Sequence, residues 1–306
     1  MPPFILDTNA IHYLVNPCWT SEAKRSRLLE RAEDGQLVIN YTPIAPIEMV
    51  SQIEADHSKF DVIKAAASML VDLGAIPLPD PEDVMGAILT DNPYSQEKAE
   101  IWGDIIDILA KGNDAQSIVT GFADYTSGKA KRLDMPSLAE FRARYEKNYR
   151  DDWKSVLSSI VPDFEKKVAT GRHTRLGKSE ASGLDDFLKN SAEWKNALLN
   201  ILTHRSQKPL PTKDYDISTV MAKIKYFREG LEWLIRQSAE AGLRPDSLKR
   251  KNDYNDLHLL LYINDYNSCV LVSQDKEFSR KVSCAGCRLI TYPKFLAQAT
   301  DVGDGA

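Results

Sequence analysis

The chain has 306 residues, with 43% hydrophobic and 27% charged residues and a net charge of −5. That length suffices for one large domain or two modest ones, and the composition is that of an ordinary globular protein. It excludes a disulfide scaffold, since Cys18, Cys269, Cys284 and Cys287 are four cysteines in a long chain, and it excludes a membrane-spanning protein, since no apolar run reaches ~20 residues. The opening residues MPPFILDTN lack the basic start and apolar run of a signal peptide. A cytoplasmic location is the expectation. The Cys284/Cys287 pair has no second pair at a spacing that would complete a zinc site.

In chain order, FIL is expected to be a short buried strand ending in Asp7-Thr8-Asn9. Helix follows through Tyr13 and, past Asn16-Pro17, over Ser21–Glu33, ended by Asp34-Gly35. LVINY is rich in β-formers, and Pro43 and Pro46 mark the start of the next helix, with Glu48 in an early turn. A helix over Lys59–Leu73 leads to a strand in GAIPLP and a further helix from PEDVMGAIL. From Tyr94 to about Gly242 no strand is evident; amphipathic spacings such as Trp102, Ile105, Ile106 and Leu109 predict helices throughout. Toward the C-terminus DLHLLLYI reads as an apolar helix, CVLVSQD and CRLITYP as strands, and KFLAQA as the last helix. Strands alternating with helices predict a parallel sheet covered on both faces. The expected fold is α/β, a doubly wound parallel sheet formed by residues 1–94 and 246–306, interrupted by an all-helical insertion over 95–245.

In an open parallel sheet, ligands sit beyond the carboxyl ends of the strands. Asp7 follows FIL and Asp275 follows CVLVSQ, while Glu48 and Asp256 lie near the starts of helices that begin at the same edge. Four carboxylates from distant segments can meet there. They would repel one another and raise their pKa values, which a hard divalent cation would relieve. Taken singly, Asp7 could be a helix cap, Glu48 a surface residue and Asp275 turn chemistry.

The segments FILDTN, PIEMVSQI, NDLHLLLYI, LVSQDKEF (with Phe278) and LITYPKFL together resemble the PIN-domain nucleases, over residues 1–90 and 248–306. The resemblance implies a PIN-like sheet and a metal-dependent phosphodiesterase, usually a ribonuclease leaving 5′-phosphate and 3′-hydroxyl ends. It assigns Asp7, Glu48, Asp256 and Asp275 as ligands to Mg²⁺ or Mn²⁺, with Thr8, Asn9 and Ser273 as supporting polar groups. Two departures stand out. Asp253 duplicates the third acidic position and reads as a helix-start anion, with Asp256 abutting LHLLL as the ligand. The helical insertion has no counterpart in small members of the family.

Residues 129–178 hold 13 Lys/Arg against 7 Asp/Glu, a local +6 that leaves −11 on the rest of the chain. The stretch is either a phosphate-binding surface or a solvated helix of mixed charge. GRHTRLGKS at 171–179 is not a P-loop, because five residues rather than four separate its glycines and the preceding segment reads as helix. Arg172, Arg175 and Lys178, with His173, remain candidate backbone contacts. An aspartyl phosphotransferase would want an acid two residues after Asp7, where Asn9 stands. The expectation is therefore an endoribonuclease acting on RNA, the alternatives being a structure-specific DNA nuclease or a catalytically inactive nucleic-acid-binding module. The resemblance also allows an inhibitory protein partner and a homodimer.

Overall fold

The computed structural model describes residues 2–90, 96–128, 185–189, 192–207, 217–241, 257–263, 269–275 and 288–301. Its frame is a five-stranded parallel sheet in the order β3-β2-β1-β4-β5, built from Phe4–Leu6 (β1), Ile39–Tyr41 (β2), Ile76–Pro77 (β3), Val270–Val272 (β4) and Leu289–Ile290 (β5). The strand order runs 3-2-1 and then resumes with 4-5, so the direction of winding reverses between β1 and β4. Phe4, Ile5 and Leu6 align with Val270, Leu271 and Val272 across that pair.

Strand side chains alternate between faces, and the core divides accordingly. Phe4, Leu6, Ile39, Tyr41 and Val272 pack into one apolar cluster, while Ile5 and Leu271 belong to another. The first face is covered by Thr8–Val15 (α1), Glu22–Glu33 (α2), Ile44–Ala55 (α3), Phe60–Asp72 (α4) and Tyr292–Thr300, the last helix. Phe295 of that last helix meets Phe4 edge-on, with ring centroids 5.0 Å apart. Pro81–Thr90 (α5) packs on the second face. A parallel sheet covered on both faces was the expectation from strands alternating with helices, and it is what the chain builds.

Local signals set the helix limits. Ser21 caps α2, and its oxygen accepts from the Lys24 amide. Gly35 and Gly74 adopt φ of +69° and +58° just after α2 and α4, a conformation that favours glycine. α3 begins at Pro43 without a side-chain cap, its first turn carrying Pro46.

The described part of the 95–245 stretch is helical: Gln96–Lys111 (α6), Ala115–Ser127 (α7), Ala192–Ser206 (α8), Ile217–Lys223 (α9) and Lys225–Ala241 (α10), with a further short helical run over 185–189. α6 packs along α4, and its Ile101, Trp102, Ile105, Ile106 and Leu109 join the core of the first face. α8 packs along α5, and Trp194, Leu198 and Leu202 join the core of the second. The predicted stripe of α6 is thus the face that meets the sheet layer. The final helix, Tyr292–Thr300, is α11 in chain order. No helix among the described residues is long and apolar enough to cross a membrane.

One element differs from its sequence pattern. DLHLLLYI reads as a full helix, yet among its described residues 257–259 are helical and 260–263 form turns and bends. The amides of Leu260, Leu261 and Tyr262 bond carbonyls three residues back, the narrower winding of a 3₁₀ turn. Tertiary demands explain the change. Residues 257–263 are all buried, and the Tyr262 hydroxyl donates to the Pro79 carbonyl at 2.6 Å.

Gly230 of α10 lies hard against this segment. A Cβ built there would stand 2.6 Å from Leu257 Cδ2 and 2.6 Å from Leu260 Cδ1, and both leucines are fully buried. Gly230→Ala is expected to lower unfolding stability by about 1–3 kcal/mol, despite alanine's better helix propensity. Urea denaturation measures this; a stabilised variant would show that the segment has room to move.

Candidate functional site

The site assembles where the sheet reverses. Asp7 is the residue after β1, and its amide donates to the Val272 carbonyl at 3.2 Å, which continues the β1–β4 pairing to the very edge. Its backbone stays extended (φ −71°, ψ 168°) and its Oδ1 accepts from the Ala10 amide at 2.6 Å, so Asp7 is also the N-cap of α1. A second polar contact comes from the Ser273 hydroxyl, on the residue after β4. Asp7 is half-buried and Ser273 buried. Burial is the largest influence on the Asp7 carboxyl and raises its pKa to about 6; the Ser273 and Ala10 hydrogen bonds oppose the rise, and the Asp275 charge adds to it.

Glu48 enters from α3, which packs beside α1. The buried Thr8 hydroxyl, first residue of α1, donates to Glu48 Oε2 in a short hydrogen bond. Glu48 keeps solvent access while its carboxyl is crowded by protein atoms, the situation of a group in a crevice. That desolvation raises its pKa, the Asp7 charge raises it further, and the Thr8 bond lowers it. Asp275 stands half-buried beyond β4, its amide donating to Ser273 Oγ at 3.2 Å. The Asp275 charge thus acts on Asp7, and the Asp7 charge on Glu48. Asn9 is exposed on the first turn of α1.

Asp7, Thr8, Glu48, Ser273 and Asp275 thus share one edge, as the strand ends predict. Asp253, Asp256, Arg172, Arg175 and Lys178 lie outside the described residues, as does the whole basic stretch from 129 to 178. Among the described residues no group of three or more His, Cys, Asp or Glu side chains closes into a metal site. The donor set is nonetheless chemically suited to a hard divalent cation: oxygen only, anionic, and held in an environment that penalises uncompensated charge. Asp7, Glu48 and Asp275 are the described residues that could contribute to one.

Other residues at this edge carry signals that strand-end reasoning overlooks. Gln274 Oε1 accepts from the Tyr292 amide at 3.1 Å, which ties the exit of β4 to the start of α11. His12 and Gln52 stand four residues after Thr8 and Glu48, one turn further along α1 and α3. Burial lowers the His12 pKa while the Gln52 side chain raises it. The i,i+4 relation in both helices was the available clue. Asp80, beyond β3, is buried, and its Oδ1 accepts from the Glu82 amide at 3.1 Å at the start of α5. His258 is buried, with its ring 6.2 Å from that of Phe227, a packing environment.

No family model, curated protein or solved structure matches this chain.

The Asp7 shift has a consequence for stability. In the folded protein this carboxyl keeps its proton to about pH 6, against 3.8 for the ordinary group. The folded state then binds more protons than the unfolded one between those values, so stability falls as pH rises through that window and stays lower above it. Asp7→Asn removes this cost while an amide oxygen can still accept from the Ala10 amide. With chelator present, the variant is expected to exceed the wild type by on the order of 1–3 kcal/mol near neutral pH, and the two should converge below about pH 4. A less stable variant at neutral pH would mean that the charged form of Asp7 is favoured by folding.

Proposed function

We propose that this chain is a metal-dependent endoribonuclease with a PIN-like core, in which Asp7, Glu48, Asp256 and Asp275 hold Mg²⁺ or Mn²⁺. The observation that carries the proposal is the gathering of Asp7, Glu48 and Asp275 where the sheet reverses, with the Asp7 amide on the Val272 carbonyl, the Thr8 hydroxyl on Glu48 and the Asp275 amide on Ser273. Carboxylates gathered at one desolvated edge are a poor way to stabilise a fold and a good way to hold a cation. Ligand sites in open α/β sheets favour this same reversal.

Each residue has a task. Thr8 donates to Glu48 and so orients its carboxylate toward the crevice. Ser273 does the same for Asp7, whose other anchor is the Ala10 amide. Asp275 adds charge from the neighbouring strand. A bound divalent ion supplies Lewis-acid stabilisation to phosphate oxygens and lowers the pKa of water. The carboxylates alone would repel the substrate backbone, so a separate positive surface has to hold it; Arg172, Arg175 and Lys178 in the basic stretch are assigned that task. A cytoplasmic setting, an inhibitory protein partner and a homodimer all fit the same proposal, and 95–245 is its helical insertion.

The test is a metal-titrated cleavage assay on matched RNA and DNA strands. Wild type is expected to cut RNA with Mg²⁺ or Mn²⁺, and Asp275→Asn to abolish cutting while remaining folded. Thr8→Val should cost roughly 10–100-fold, the usual effect of removing a group that orients a ligand. Asp256→Asn should cost far more than Asp253→Asn, because three residues along a helix start is a rise of ~4.5 Å. Preferential DNA cutting would establish the structure-specific nuclease instead. Metal-independent binding without cutting would establish the inactive module.

A further inference from the structure

Beside the carboxylate edge lies an aromatic surface that the metal chemistry does not use. Tyr13 of α1 and Trp19 of the following loop are stacked, with centroids 4.4 Å apart and planes 23° from parallel. Tyr292, the first residue of α11, meets both edge-on at 5.3 and 6.2 Å. The Tyr292 ring is wholly buried, whereas Trp19 is 36% exposed. Tyr13 lies along one indole face, and the exposure of Trp19 comes from what Tyr13 and Tyr292 leave uncovered.

The loop is built to hold the indole still. The amides of Trp19 and Thr20 both donate to the Asn16 carbonyl, at 3.0 and 2.9 Å, and the Cys18 amide donates to Asn16 Oδ1 at 2.9 Å. The fully buried Thr20 hydroxyl lies 2.7 Å from the Tyr13 carbonyl and 2.6 Å from the Tyr292 hydroxyl. Arg25 reaches back to the Leu14 and Val15 carbonyls at 3.2 and 3.1 Å and closes the end of α1. Other exposed large hydrophobics among the described residues, Val62, Val71, Ile76 and Ile217, are aliphatic.

We propose that Trp19, backed by Tyr13, is a stacking platform for a base of single-stranded nucleic acid whose backbone continues into the carboxylate crevice. The platform rests on the nuclease function proposed above and narrows its substrate to an unpaired strand. Two observations choose the occupant. Among the described residues, the exposed ones next to Trp19 in sequence are Asn16, Pro17, Cys18, Ser21 and Glu22, mostly small or polar, unlike the apolar surround that anchors a protein partner. The platform is also joined to the crevice, because the amide of Tyr292 is held by Gln274, between Ser273 and Asp275. Tyr13 is six residues from Asp7, ~9 Å along α1, a reach of only a few nucleotides. An indole face accepts any base, so stacking there discriminates paired from unpaired strands rather than sequence.

The test uses the full chain labelled with 5-fluorotryptophan, the Trp19 signal being assigned from Trp19→Phe. A short single-stranded oligoadenylate, added with Ca²⁺ as divalent ion, should shift the Trp19 ¹⁹F resonance, and a blunt RNA duplex should not. Trp19→Ala should weaken oligoadenylate binding roughly 10-fold, and Trp19→Phe should restore most of it. Wild-type affinity in Trp19→Ala, or an unmoved Trp19 resonance at saturation, would overturn the platform while leaving metal-dependent cleavage intact. Binding of duplex in preference to single strand would overturn it too. Failure to bind either nucleic acid would overturn the platform and the nuclease function together.

Discussion

Asp7 is held by the backbone on one side and by a helix on the other, and the rest of the site depends on that double anchorage. Its amide extends the β1–β4 pairing through Val272, and its carboxyl starts α1 through Ala10. A residue so fixed cannot swing away from Asp275, whose charge disfavours its own, or from Glu48, whose charge it disfavours. The cap and the charge cluster are two uses of one side chain: one oxygen satisfies an amide that would otherwise lack a partner at the helix start, and the carboxylate still carries its charge at the edge. Thr8 then follows as the first helical residue, which places its hydroxyl at Glu48 without any further device.

That arrangement costs stability. Burial, with the Asp275 charge adding to it, pushes the Asp7 carboxyl up to about 6, close to neutral pH. Compensation comes from the surrounding layers rather than from the site. Phe4, Ile5 and Leu6, the three residues leading into Asp7, are fully buried, and their alternation anchors β1 to both cores. Full burial of such side chains contributes about 1.5–3 kcal/mol each, enough to hold one strained carboxylate in place.

The strand ends were the legible part of the sequence. FIL followed by Asp7, and CVLVSQ followed by Asp275, place both acids at one edge once the strands are parallel, which their alternation with helices indicates. Glu48 was legible through Pro43 and Pro46, which set where α3 begins. Tertiary contacts obscured the rest. DLHLLLYI has the composition of a helix, but Tyr262 has to reach Pro79, and the segment tightens to let it. Nothing in the pattern of α6 and α8 says that one covers the first face of the sheet and the other the second, because both show ordinary amphipathic stripes. Gln274 reads as a turn residue, and only the position of Tyr292 shows that it clamps two strand exits.

The central claim is that the edge carboxylates act together on a cation, and direct metal binding tests it apart from any substrate. Mn²⁺ titration followed by electron paramagnetic resonance counts ions held by the full-length chain. Wild type is predicted to hold Mn²⁺ at a saturable site, in competition with Mg²⁺, and both Asp7→Asn and Glu48→Gln are predicted to lose it while their folds persist. Saturable Mn²⁺ binding of equal affinity in wild type and both variants would place the ion elsewhere and contradict the assignment, as would no saturable binding in the wild type.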